Sequence, residues 1–347
     1  MQIKNIALEG IATAVPKHIE YNKDYPFASE KEGALYIKSV GIEQRRIVQN
    51  QETAADLCSK AAESLIDKMK LDRSEIKVLI FVTQTPDYIT PATAVKLQHD
   101  LDLGEDCLAF DINLGCSGYV YGLATAASLL SNISEGKALL LVGDTSSACI
   151  SSKDKSTAPL FSDAGSATIL GKRAGANMDF LMASDGKGYE SIIIPEGGYR
   201  TPFREESLEM KEETPGINRN ATHLILRGID IFNFSVKHVP TQVKELLQQK
   251  QLSVEDIDHF VFHQANKLIN DTIAKKLGLS EGQMPLSLKE FGNTSSASIP
   301  VTMVQQLQSK LENEPLKLVL SGFGVGLSWA SVYLETNGFT CLEMVEV

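Results

Sequence analysis

The chain predicts an α/β fold, and three observations carry that expectation. Residues 78–82, 138–142 and 318–320 are continuous apolar runs of strand length, as occurs where a sheet is covered on both faces. Between such runs lie segments of helical length and composition, 92–101 and 118–130 among them. The arrangement also repeats: Ile80 to Cys116 spans 36 positions, and Val261 to Ser295 spans 34, each a strand, a helix and a polar turn opening a second helix.

In order, the run at 78–82 is β-rich and is followed by a helix over 92–101 that ends Leu101-Asp102-Leu103-Gly104. Residues 107–110 are short enough for a buried strand, and 118–130, rich in Ala, Leu and Tyr, reads as a buried helix. Strands at 138–142 and 167–170 come next. Residues 186–220 are dense in Gly, Pro and charge, which reads as a long surface loop of the kind that can cover a site. The second repeat runs from the strand at 259–262 through a helix ending Leu277-Gly278 to a turn at 291–298 and a helix through Leu311.

The 347 residues carry a net charge of −11, which argues against nucleic acid as a general partner. No apolar stretch approaches the ~18 residues of a membrane span, and the first residues lack the regions of a signal peptide. Five cysteines form no CxxC pair and no metal-ligand spacing with the six histidines, a pattern expected of a reducing, cytoplasmic compartment. No metal site and no cofactor motif are expected.

Four stretches carry chemistry. Gly115-Cys116-Ser117-Gly118 sets a thiol at the start of a helix, where unpaired N–H groups and the helix dipole are expected to lower its pKa. The competing reading is a small core residue, the commonest fate of a free cysteine. His263, in His263-Gln264-Ala265-Asn266, ends an apolar strand, and Asn293 lies in a small-residue turn before a helix. Alone they read as a satisfied histidine and a turn or cap residue. Together with a cysteine they suit thioester chemistry. The thiol carries an acyl group, while a neutral His and an Asn amide donate to an enolate oxygen. Near the end, Gly322-Phe323-Gly324-Val325-Gly326 can turn backbone N–H groups toward a reacting oxygen.

Taken together, these stretches resemble the β-ketoacyl-acyl carrier protein synthase III family of thiolase-like condensing enzymes. The likeness also covers Gly41-Ile42-Glu43-Gln44-Arg45-Arg46-Ile47, the 161–167 segment and Pro195-Glu196-Gly197-Gly198. It implies a five-layered αβαβα fold of two pseudo-symmetric halves, 1–173 with the Cys and 174–347 with the His and Asn, in a homodimer. It implies Cys116 as acylated nucleophile, His263 and Asn293 as promoters of decarboxylation, and the N–H groups of Cys116 and Val325 as the oxyanion hole. Thr90 and Phe323 would bound the acyl pocket, with Thr90 where relatives place a phenylalanine that crosses the dimer. Gln264, Lys267, Leu268, Lys275 and Lys276 would meet an acyl carrier protein. The implied reaction is decarboxylating condensation of an acyl thioester with malonyl-acyl carrier protein, in fatty acid or related lipid synthesis, without metal or redox cofactor.

Departures from the family pattern bear on the donor. The tryptophan and arginine that stack the adenine of acetyl-CoA fall on Leu35 and Lys155, the arginine near that tryptophan on Ser39, and an asparagine of the pantetheine tunnel on Ile229. Lysine keeps the charge but lacks the planar fork, so a carrier-bound or unusual acyl donor is expected over acetyl-CoA. Two rivals remain at this level: a condensing enzyme or acyltransferase of a polyketide or surface-glycan pathway, and a non-catalytic partner subunit.

Overall fold

The computed structural model describes residues 1–347. Its main sheet runs in the order Leu108–Ile112, Ile76–Val82, Lys137–Asp144, Ala164–Ser184, Ser328–Asn337, Pro315–Gly324, His259–Phe262, with Gln2–Val15 paired along the long central strand. The pairing is symmetric about that strand. On one side Ile76–Val82 lies parallel to Lys137–Asp144, which is antiparallel to Ala164–Ser184. On the other, His259–Phe262 lies parallel to Pro315–Gly324, which is antiparallel to Ser328–Asn337. The sequence repeat therefore has a structural counterpart. Position 173 falls inside the 21-residue strand Ala164–Ser184, which serves both halves.

The period of two along each strand distributes its side chains between two cores. Val78, Ile80 and Val82 point into a central core with Leu140, Val261, Leu318 and Leu320. That core also takes the helices Gly118–Ser131 and Ser298–Asn313. Leu79, Phe81, Leu139 and Leu141 point the other way, onto Ala54–Met69 and Thr93–Asp100. In the second half Phe260, Phe262 and Val319 turn outward onto Gly228–Lys250 and Lys267–Leu277. Helix, sheet, helix pair, sheet, helix is the five-layered αβαβα order. Continuous apolar strands follow from it, since neither sheet face is left to water.

The helices start where their caps place them. Thr53 and Asp56 form a capping box before Ala54–Met69, and Asn266 caps Lys267–Leu277 by accepting from Ile269 N–H at 2.9 Å. No helix is long and apolar enough to cross a membrane. Residues 186–220 are more ordered than a loop. They hold a hairpin, Lys211–Thr214 with Ile217–Arg219, that is tied to the 151–157 segment. Arg219 bridges Glu213 at 2.5 Å and the buried Asp154 at 3.0 Å, and Lys155 N–H donates to the Gly216 carbonyl at 3.0 Å. A row of charges in sequence is here an ion-pair lock, which composition alone could not distinguish from a solvated loop.

Candidate active site

Cys116 stands one residue before the N-cap Ser117 of the helix Gly118–Ser131, in the tight turn closed by Gly118 N–H to the Gly115 carbonyl at 2.6 Å. The glycine-rich strand end lies directly against it. A Cβ on Gly324 would sit 2.8 Å from Cys116 Cβ and 2.9 Å from its Sγ, and one on Gly322 would sit 2.8 Å from the Cys116 carbonyl oxygen. Gly324 also has φ +153, so both space and backbone require glycine. Ser328 Oγ fastens the turn, donating to the Val325 carbonyl at 2.7 Å and lying 2.7 Å from Ser117 Oγ.

His263 follows the strand His259–Phe262 and is held by its N–H to the Ser321 carbonyl at 2.8 Å. Its Nδ1 lies 2.7 Å from Ser298 Oγ, and the Phe323 ring stands edge-on to the imidazole at 5.5 Å. Asn293 is anchored by its own N–H to the Leu160 carbonyl and by its carbonyl from Ser162 N–H, both at 3.0 Å. Its Oδ1 accepts Ser295 N–H at 2.9 Å, while Nδ2 makes only a 3.4 Å bond to the Ala265 carbonyl. The second amide hydrogen is left to face the cavity.

Cys116, His263 and Asn293 line one small cavity of about 50 Å³ with Phe323, Gly324 and Asn266. The turns after Leu108–Ile112 and His259–Phe262 and the turn after the short helix Leu288–Phe291 thus bring the three together. On its other side, Cys116 opens into a cavity of about 250 Å³ walled by Phe161, Ile192, Ile194, Leu224 and Val325, with Gln84, Asp144 and Ser295 among its polar residues. Apart from Val325 and Phe161, the larger cavity's apolar wall comes from residues that the sequence did not single out. Ile192, Ile193 and Leu224 stand in short or irregular segments whose pattern gives no signal.

The electrostatics correct one expectation. Burial pushes the Cys116 thiol up to about 11, against a pull from Val325 N–H and with a further push from the Asp144 charge. Position at a helix start does not outweigh desolvation, because Cys116 precedes the cap and is buried. Burial likewise holds His263 down, to about 3, with a hydrogen bond at the Ser295 backbone opposing it. The imidazole is therefore neutral at ordinary pH, as a hydrogen-bond donor to an enolate would need.

Other expected residues divide. Phe323 lines the catalytic cavity. Thr90 is exposed and lines neither cavity of its own chain. Gln264 is a correction: it is wholly buried, donating to the Phe262 carbonyl at 2.8 Å and accepting Ser287 N–H at 3.1 Å, so it supports the strand end and cannot meet a carrier protein. Lys267 pairs with Asp271, and Lys276 Nζ donates to the Val236 carbonyl at 2.8 Å. Lys275 and Leu268 lie on the exposed face of the same helix. Leu35 and Ile229 are also exposed, at 59% and 78%. Lys155 spends its charge on Glu32 at 2.8 Å.

A thiol, a neutral imidazole and a carboxamide gathered on one cavity of a doubled αβαβα fold define a thiolase-like condensing enzyme. The family model of 3-oxoacyl-[acyl-carrier-protein] synthase III matches residues 110–186, and that of the same enzyme's C-terminal region matches 247–336. A putative 3-oxoacyl-[acyl-carrier-protein] synthase 3 of Campylobacter jejuni is 34% identical, covering 94% of this chain and 93% of that protein. A β-ketoacyl-[acyl-carrier-protein] synthase III of Streptococcus agalactiae is also 34% identical, over 94% and 97%. Among solved structures, a 3-oxoacyl-(acyl-carrier protein) synthase from Burkholderia xenovorans superposes with TM-score 0.93 at 37% identity, covering 100% of this chain and 98% of its own. The priming β-ketosynthase of the R1128 polyketide pathway superposes with TM-score 0.81 at 25% identity, over 96% and 97%. The chain belongs to the 3-oxoacyl-[acyl-carrier-protein] synthase III family, whose members are acyltransferase-type condensing enzymes.

Proposed function

We propose that this chain condenses an acyl thioester with malonyl-acyl carrier protein, with loss of carbon dioxide, through an acyl group held on Cys116. The observation that carries the reading is the convergence of Cys116, His263 and Asn293 on one cavity. In the first half-reaction the Cys116 sulfur takes the acyl group, the donor leaves as a free thiol carrying the proton that Cys116 gives up, and the N–H groups of Cys116 and Val325 hold the oxyanion. In the second, malonyl thioester loses carbon dioxide to an enolate, whose oxygen accepts from His263 and Asn293 Nδ2. The enolate carbon then attacks the acyl-cysteine and breaks its carbon–sulfur bond, releasing 3-oxoacyl thioester and a Cys116 thiolate that takes up one proton from solvent to restore the free enzyme. Three side chains and two backbone amides supply this chemistry; metal and redox cofactors take no part in it.

The 250 Å³ cavity beyond Cys116 is assigned to the acyl chain, with Val325 narrowing it. A second copy of the chain is its proposed complement. The strand Leu108–Ile112 is a sheet edge, with Leu108 exposed, and an unpaired edge is a template for another strand. Tyr88 and Ile89 stand exposed on the loop leading to Thr90, so Thr90→Phe should shorten the accepted acyl group across the dimer. The acidic carrier protein is assigned to the helix Lys267–Leu277, where Lys275 and Leu268 are exposed. Five unpaired cysteines suit a cytoplasmic enzyme.

Lys155 paired to Glu32, and Leu35 where a flat ring would stack, favour a carrier-bound donor over acetyl-CoA. Likeness to a polyketide priming synthase supports a specialised pathway as the second reading. Intact-mass analysis after incubation with acyl-CoA and acyl-carrier thioesters tests both. A single acyl adduct, absent from Cys116→Ser and discharged by malonyl-carrier, is expected. Labelling by acetyl-CoA as fast as by carrier thioesters overturns the donor preference, and no adduct at all overturns the function.

A further inference from the structure

The cavity of about 250 Å³ beside Cys116 is lined by two unlike sets of side chains. Ile192, Ile194, Leu224 and Val325 are apolar, as an alkyl chain requires. Gln84, Asn113 and Ser146 are not, and none of these three side chains hydrogen-bonds within the chain. Gln84 is fixed by its backbone, whose N–H donates to Asp144 Oδ1 at 2.7 Å, so its carboxamide is uncommitted. That carboxamide lies against the turn bearing the thiol. A Cβ on Gly115 would collide with Gln84 Oε1 and stand 2.8 Å from Val325 Cγ1. Glycine at the residue before Cys116 thus leaves room for one polar and one apolar group beside the sulfur. Asn113 follows the strand Leu108–Ile112 in the same turn.

Charge narrows the choice of partner. No lining residue is Lys, Arg or His, and Asp144 supplies the cavity's single carboxyl. Each of its oxygens already accepts twice: Oδ1 from Thr83 Oγ1 at 3.2 Å and from Gln84 N–H, Oδ2 from Ser296 N–H at 3.2 Å and Ser296 Oγ at 2.5 Å. A carboxylate on the acyl chain would find no cation there, and an ammonium would find the one anion already spent. A carboxamide has two donor hydrogens and an acceptor oxygen, which match a neutral oxygen: an oxo group accepts, and a hydroxyl both donates and accepts. A plain alkyl chain would strip water from both amides and give them nothing in return.

We propose that the acyl group taken by this site carries a neutral hydroxyl or oxo oxygen within a few carbons of the thioester, held by the carboxamides of Gln84 and Asn113. The apolar residues take the hydrocarbon, and the two amides select the substituent. Gln84 and Asn113 are then specificity-determining residues of the acylation step.

The inference rests on Cys116 as acyl acceptor and on this cavity as the acyl site. It is tested on the full-length protein by the rate at which Cys116 gains acyl mass from matched thioesters: butyryl against 3-hydroxybutyryl, and pentanoyl against 4-oxopentanoyl, with succinyl as the charged probe. Each is offered both as CoA and as carrier-protein thioester, so that donor preference does not enter the ratio. Wild type should label about tenfold faster with the oxygenated member of at least one pair, the scale of one net hydrogen bond. The pair that shows it separates hydroxyl from oxo. Gln84→Leu and Asn113→Leu replace exposed residues. Each should bring that ratio close to one while the alkyl thioester labels as fast as before or faster. Loss of packing would slow both members alike and leave the ratio where it was. Alkyl thioesters labelling wild type as fast as their oxygenated partners in both pairs overturns the inference, as does a preference that survives both substitutions. Succinyl as the fastest label overturns the neutral assignment. Failure of every thioester to label wild type removes Cys116 as acceptor, an outcome distinct from labelling without preference.

Discussion

His263 Nδ1 lies 2.7 Å from Ser298 Oγ, and this leaves Nε2 as the imidazole nitrogen available to a substrate. For Nε2 to carry the hydrogen, the Ser298 hydroxyl must donate to Nδ1. Ser298→Ala should therefore slow malonyl decarboxylation by about tenfold, or 1.4 kcal/mol, the scale of one net hydrogen bond. Ser298→Thr should restore most of the loss. The check is carbon dioxide release from malonyl-carrier at saturating substrate.

Burial holds His263 near 3, so the neutral imidazole is present at all pH values well above that. Lowering pH should charge it only as the solution approaches 3, and raising pH should not deprotonate it further. Decarboxylation should accordingly show no His263 titration between about pH 5 and 8, the window where an unperturbed histidine would change state. An inflection near 6.5 that disappears in His263→Ala would contradict this.

Asn293→Asp keeps an oxygen to accept Ser295 N–H but loses the Nδ2 donor and brings a negative charge toward the enolate. A fall of about 100- to 1000-fold in condensation is expected, as for removal of one oxyanion donor. Acylation of Cys116 should survive, so the two half-reactions measured separately would reveal the loss.

Val325 offers its N–H to the Cys116 region and its side chain to the larger cavity, and Val325 Cγ1 would stand 2.8 Å from a Cβ placed on Gly115. Val325→Gly should retain the backbone donor and admit bulkier acyl groups. A panel of straight and branched thioesters should show the shift as a changed preference with little change in the rate for the best short donor.

Arg219 and Asp154 form a nearly dry pair at 3.0 Å, with side chains 8% and 1% exposed. Asp154→Ala leaves the guanidinium only its bridge to Glu213 and should destabilise by about 3–5 kcal/mol, as breaking a buried pair does. Loosening should begin at the hairpin, with earlier tryptic cleavage at Lys211 as its signature.

Much of this was legible in the chain. Alternate residues of 78–82 and 138–142 divide between two cores, so a run with no polar face was the correct sign of a sheet covered twice. The turns at Cys116, His263 and Asn293 announced themselves through small residues beside a reactive one. The walls of the larger cavity did not, because Ile192, Leu224 and Phe161 meet only through tertiary packing and share no spacing. Gln264 was expected at a carrier-protein surface only through the resemblance to the family, and nothing in its local pattern signals that its amide closes the strand end from within. The thiol's acidity was misjudged for a related reason: local position suggested a stabilised anion, while its desolvation is set by residues distant in the chain.

The strand Ala164–Ser184 runs from one half into the other, bulging around Gly175 where its pairing with Gln2–Val15 shifts. Its two ends are hydrogen-bonded to Lys137–Asp144 of the portion bearing sulfur and to Ser328–Asn337 of the portion bearing imidazole and carboxamide. The two portions thus share one piece of backbone, and a substitution that unpairs it is felt on both sides of the site at once.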